Sequence, residues 1–131
     1  MAEPFRAPIV LMSSGENVVT VGAESGVGGR NQEYCTAAAV TIAGSRRIVF
    51  GAVDTDGTDG PGGFRYPGAP DCLAGAITDG ETAQAAKQAG IDLEDALRTH
   101  RHVGAALAAR LRRGGGSNVS ALDLRVILIQ E

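Results

Sequence analysis

At 131 residues the chain has the length of one compact domain with a single core. Hydrophobic residues make up 44% and charged residues 21%, a balance that excludes a disordered tail. The net charge of -3 gives no basic field to neutralise phosphates, so nucleic acid is excluded as a partner. Aromatic residues are only 4% and Trp is absent, so the core must be built from Ala, Val, Ile and Leu, which favours closely packed helices and strands. Cys35 and Cys72 have no CxxC or His-spaced partner, which argues against a disulfide framework and against zinc.

In chain order, the first six residues include an acid and a proline and lead into a short apolar run. That run is far too short for a signal h-region or a membrane span, so a cytoplasmic location and no membrane partner are expected. Residues 8–12 and 17–21 are β-branched runs separated by Ser13-Ser14-Gly15-Glu16, which predicts an opening β-hairpin. A glycine-rich loop, Gly26-Val27-Gly28-Gly29-Arg30, then feeds an Ala-rich helix that Gly44 stops. Residues 47–53 are a nearly continuous apolar run and predict a buried strand. Residues 54–71 are rich in Asp, Gly and Pro and read as a long loop. Helices are expected over 72–78 and 81–89, a third segment capped by Asp92, and an amphipathic helix over 102–113. Gly114-Gly115-Gly116-Ser117-Asn118 breaks that pattern, and residues 124–129 predict a final strand. The fold class is therefore α/β, a mixed β-sheet flanked by helices, starting with a hairpin and ending in a strand.

Two loops can carry chemistry. In Gly28-Gly29-Arg30-Asn31-Gln32-Glu33, bare backbone and an arginine stand at a helix N-terminus, where N–H groups and the macrodipole attract an anion and Arg can grip a phosphate or carboxylate in bidentate fashion. A structural reading is equally open: the glycines only turn the chain and Arg30 pairs with an acid such as Glu33. The stretch lacks the Walker lysine and is a poor dinucleotide fingerprint. In Asp54-Thr55-Asp56-Gly57-Thr58-Asp59-Gly60, carboxylates gather after a buried strand, where they can hold Mg²⁺ or take a proton from a substrate hydroxyl. Asp54 and Asp59 can instead accept backbone hydrogen bonds in turns. Gly115-Gly116-Ser117-Asn118 is a third, weaker candidate for close approach to an anion. His100 and His102, two residues apart, read as solvent-facing or capping residues.

Three segments in order carry a resemblance: Gly28-Gly29-Arg30-Asn31-Gln32-Glu33, Asp56-Gly57-Thr58-Asp59-Gly60-Pro61 with Ala74-Gly75-Ala76, and Asn118-Val119. Together with Ser14-Gly15-Glu16 they resemble the MOFRL domain, the carboxy-terminal domain of type-2 glycerate kinases, some of which carry an older hydroxypyruvate reductase label. The resemblance covers residues 1–131 as one domain and implies ATP-dependent phosphorylation of the 2-hydroxyl of D-glycerate in a cleft shared with an amino-terminal kinase domain, which would act in trans. It implies Arg30, Asp54, Asp56 and Asp59 as catalytic residues, with Gly28, Gly29, Arg30, Asn31, Ser117 and Asn118 around the anion. Asp54 and Asp56 would be the metal ligands. ATP and Mg²⁺ would belong to the complete enzyme, with none tightly bound to this domain, which is expected to be inactive alone. The chain departs from the family at Arg113 to Asn118, where proline and threonines are missing, and at the insertion-like 62–67. A non-catalytic module for a small acid is the alternative. A reductase is less favoured, because no strand, G-x-G-x-x-G, helix unit is present.

Overall fold

A computed structural model describes residues 5–23, 26, 28–60, 73–100 and 122–131. The elements are β1 (Ile9–Ser14), α1 (Arg30–Thr41), β2 (Ile48–Asp54), β3 (Gly75–Asp79), α2 (Thr82–Gln88), α3 (Leu93–Arg98) and β4 (Asp123–Ile129). The four strands form one sheet in the order β1-β4-β2-β3, and its three pairings are antiparallel. Helices flank the sheet and the chain's last element is a strand, as expected. The expected helix at 102–113 lies outside the described residues.

Two local expectations are corrected. The opening run does not turn back on itself: every residue of β1 pairs with β4, from Ile9 opposite Ile129 to Ser14 opposite Leu124, and residues 17–21 form no strand. The reason lies at the turn. Gly15 N–H donates to the Asp123 carbonyl and Asn17 N–H points to the Asp123 carboxylate at 3.4 Å, so the chain crosses the start of β4 instead of folding along β1. Val18 is left 96% exposed. The segment expected to be helical at 72–78 instead supplies β3. Gly75 makes this possible, since a Cβ there would stand 2.0 Å from the Ala52 carbonyl oxygen of β2. The β-branched Ile77 and Thr78 then suit a pleated edge, and strand pairing overrides the helical propensity of the alanines.

Helix α1 lies on β2 and β3. Cys35 packs with Ala52 and Ala76, while its thiol donates to the Ala76 carbonyl at 3.2 Å. Tyr34 meets Phe50 with ring centroids 5.6 Å apart. Farther along, Ala39 joins Ala86, Leu93 and Ala96 of α2 and α3. The small side chains let backbones approach closely, so enlargement is resisted at these positions. Asp92 caps α3 as expected, its carboxylate accepting from Glu94 and Asp95 N–H. Gly44, at φ +80, follows α1 in the left-handed region, where L side chains are strained. The apolar residues Val10, Met12, Val53 and Ile77 are exposed, and their register puts them on the sheet face opposite Ala52 and Ala76.

Candidate functional site

The two loops singled out above meet at one end of the sheet, where β2 ends, β4 begins and α1 starts. Asp54 and Asp123 are directly paired across β2 and β4. Arg30, the first residue of α1, reaches over both. Its Nε donates to Asp123 Oδ2 at 2.7 Å, while its Nη2 donates to Asp123 Oδ1 at 2.9 Å and to Asp54 Oδ2 at 2.7 Å. Its Nη1 makes no hydrogen bond among the described residues. Glu16 Oε1 stands 3.6 Å from that nitrogen, too far for a hydrogen bond. The guanidinium is thus fixed on two edges and presents the third, with 24% of the side chain exposed.

The helix N-terminus is occupied by the protein itself. Asp59 is buried, with Oδ1 accepting from Asn31 N–H at 3.0 Å and Oδ2 from Gln32 N–H at 2.8 Å. Gly29, which precedes the helix, has no side chain to cap it. Asp59 therefore caps α1 from a different loop. Asn31 Nδ2 donates both to Asp59 Oδ1 at 3.2 Å and to Asp123 Oδ1 at 2.9 Å, and Gln32 Nε2 donates to the Asp59 carbonyl at 3.1 Å. The glycines make room for this arrangement. A Cβ on Gly29 would stand 2.4 Å from Asp59 Cγ, and one on Gly60, at φ +88, would stand 2.3 Å from the Gly28 carbonyl oxygen.

Burial and hydrogen bonding compete in setting the charges. Burial would raise the Asp123 carboxyl, but hydrogen bonds from Arg30 and Asn31 prevail and hold it below the ordinary value of 3.8. At Asp54 and Asp59 burial prevails over the hydrogen bonds and raises both carboxyls. The hydrogen bond to Asp123 raises Arg30 further, so the guanidinium is a permanent cation.

The remaining expected residues divide. Asp54 Oδ1 accepts from Asp56 N–H at 3.3 Å, and Asp56 Oδ1 from Thr58 N–H at 2.9 Å, the turn bonding that Asp-Gly sequences favour. Glu33 faces His100 Nδ1 at 3.0 Å rather than Arg30, and His100 is only 15% exposed in its side chain, not solvent-facing. Ser117, Asn118 and His102 lie outside the described residues. Among the described residues, no three His, Cys, Asp or Glu side chains come together as metal ligands, and Asp54 already serves Arg30 and Asp56. Asp54 and Asp56 would supply at most two carboxylates to a Mg²⁺ ion, whose other donors would be water and substrate phosphates. Asp123, the residue that holds Arg30 most fully, is absent from the sequence-based site. An acid at the head of an apolar strand, two residues from an arginine on the same face, is the signal that could have drawn attention to it.

The fold is an α/β domain in which one end of the sheet is centred on Arg30, held by Asp54 and Asp123 beside the capped start of α1. The MOFRL family pattern matches residues 9–120, and the chain belongs to that family. It is 35% identical to the glycerate 2-kinase of Pyrococcus horikoshii over 131 residues, which cover 95% of this chain and 27% of that protein. It is 39% identical to the D-glycerate 2-kinase of Thermotoga maritima over 89 residues, covering 68% of this chain and 19% of that protein. The crystal structure of the Thermotoga maritima glycerate kinase superposes with a TM-score of 0.84 at 34% identity, covering 96% of this chain and 28% of that one. The chain thus spans about a quarter of the length of the relatives it matches. Among the described residues no helix is long and apolar enough to cross a membrane.

Proposed function

We propose that the chain is the carboxy-terminal domain of a glycerate 2-kinase and supplies one wall of a cleft in which ATP phosphorylates the 2-hydroxyl of D-glycerate. The observation that carries this reading is the fixed orientation of Arg30, whose Nη1 edge makes no hydrogen bond among the described residues while Asp54 and Asp123 hold the rest of the group. A preorganised guanidinium stabilises charge on a carboxylate or a transferring phosphoryl group without reorganising during the reaction. Arg30 binds that charge, Asp123 and Asn31 orient Arg30, and Asp54 and Asp56 line the cleft as partners for the substrate hydroxyl. Asp59 keeps a structural part, as the cap of α1. Gly28 and Gly29 let the loop approach closely, and Ser117 and Asn118 are assigned to the anion by the family resemblance alone.

ATP and Mg²⁺ are assigned to the complete enzyme in the cytoplasm. The helix N-terminus that could cradle a phosphate already carries Asp59, so nucleotide phosphates are held by an amino-terminal domain, in the same polypeptide or in trans. The test is an assay of ATP-dependent D-glycerate phosphorylation by this chain alone and mixed with the amino-terminal part of the Thermotoga maritima enzyme. Activity only in the mixture is the expected result. Inactivity in the mixture, with glycerate still bound by the chain, would favour a non-catalytic module for a small acid.

A further inference from the structure

Arg125 lies on β4 two residues after Asp123, on the same face of the sheet, between Ser13 of β1 and Ala52 of β2. It is 8% exposed. Its Nη2 donates to the Gly15 carbonyl at 3.0 Å, its Nε lies 3.4 Å from Ser13 Oγ, and its guanidinium carbon is 5.9 Å from the Tyr34 ring centroid. Its Nη1 is buried with no hydrogen-bond partner, and no carboxylate pairs with it among the described residues. A buried guanidinium contacting only neutral groups, with one arm unsatisfied, is costly unless an acceptor completes it. The Tyr34 ring offsets part of this cost.

The loop that covers Arg125 also carries the acid that faces Arg30. Gly15 accepts from Arg125 and stands at φ +130, a backbone conformation open to glycine. The next residue, Glu16, is 58% exposed in its side chain and sits 3.6 Å from Arg30 Nη1 without a hydrogen bond. Two guanidinium groups, Arg30 and Arg125, therefore share this sheet end with three carboxylates, Glu16, Asp54 and Asp123. Asp54 and Asp123 are buried and bound, whereas Glu16 is the one that can leave. If it leaves, a small anion arriving at Arg30 restores the same charge.

We propose that residues 13–16 cover a subsite for a small carboxylate or phosphate, built from the Nη1 arms of Arg30 and Arg125, and that Glu16 is the carboxylate a ligand displaces. The proposal rests on the reading that Arg30 faces an anionic ligand. Removing the Glu16 charge therefore strengthens anion binding, although it deletes an ion pair. A purely structural Arg125 predicts no gain, since loosening the loop above it would offer nothing to a ligand.

The test is calorimetric titration of the purified chain with D-glycerate, with inorganic phosphate and, as a neutral control, with glycerol. Glu16→Gln is expected to tighten binding of at least one anion about fivefold to tenfold, Arg125→Gln to weaken it about tenfold and Arg125→Lys to recover part of the loss. Far-ultraviolet circular dichroism and urea midpoints identify any variant that fails to fold, and the exposed Glu16→Gln carries the test if Arg125→Gln does not. A gain for glycerate alone assigns the subsite to a carboxylate, and a gain for phosphate alone assigns it to a phosphoryl group. Equal or weaker anion binding by Glu16→Gln overturns the proposal, as does the absence of anion binding by both wild type and Glu16→Gln. If Arg30→Ala abolishes binding while Glu16→Gln changes nothing, this subsite falls and the reading of Arg30 stands. If Arg30→Ala also binds as wild type does, both fall.

Discussion

Asp54 and Asp123 stand directly opposite one another on β2 and β4, and the guanidinium of Arg30 is hydrogen-bonded to both. Two carboxylates side by side would repel each other, and the shared cation turns that repulsion into a clamp. The clamp fixes the Arg30 edge that faces outward, which links the pairing of two strands to the chemistry of the loop end.

Asp123→Asn is expected to lower stability by about 3 kcal/mol, the lower part of the range for breaking a buried ion pair, because Arg30 keeps Asp54. The folded carboxyl lies below 3.8, so its contribution is fully present above the unfolded value and is lost as the pH falls through the folded one. Urea denaturation across pH should find a constant gap between wild type and variant from about pH 7 to about pH 5, closing below about pH 4. A gap that widens on acidification would contradict the clamp.

Arg30→Lys keeps a positive charge but cannot hold both acids in the fork geometry. Assayed together with the amino-terminal domain, it should lose about a hundredfold in kcat, the scale of one preorganised charge-stabilising donor. Unchanged turnover would remove Arg30 from the reaction.

Asp59→Ala should cost about 2 kcal/mol, because it strips the cap from two N–H groups of α1. Gly29→Ala should cost about 1–3 kcal/mol by driving a methyl group into Asp59. Since the second substitution acts by moving the first residue, the double variant should lose less than the sum of the two. Additive losses would mean that the loops are independent.

Cys35 is buried against the Ala76 carbonyl, and burial pushes its thiol up to about 12. It should resist alkylation in the native protein at neutral pH and react on unfolding, as peptide mass mapping can establish. Rapid native labelling at Cys35 would mean that α1 lifts from the sheet.

Much of this was legible because the signals are local. The apolar run ending at Asp54, the final strand and the Asp92 cap each follow from a few neighbouring residues, and the structure realises all three. The glycine-arginine loop and the Asp loop are also visible, and they meet. What the residues alone do not reveal is which acid belongs to which donor. Asp59 reads as a cleft residue until the helix it caps comes alongside, 28 positions away from Asn31 in sequence. Asp123 falls just before the run 124–129 that reads as the final strand, and nothing local names its partner, because Arg30 is 93 positions distant. The supposed hairpin failed for a related reason. Two β-branched runs around Ser-Ser-Gly-Glu look the same whether the second pairs with the first or is drawn off by a carboxylate on β4.

Ile9 and Ile129 are opposite partners at one end of the sheet, while Asp54 and Asp123 are partners at the other. The polypeptide therefore enters β1 and leaves β4 at a single corner, and Arg30 works at the far end of the same strands. Residues 123–129 measure about 20 Å along a strand. The Arg30 clamp thus stands about 20 Å from the corner where β1 begins and β4 ends, so fraying at that corner leaves Asp54 and Asp123 in register.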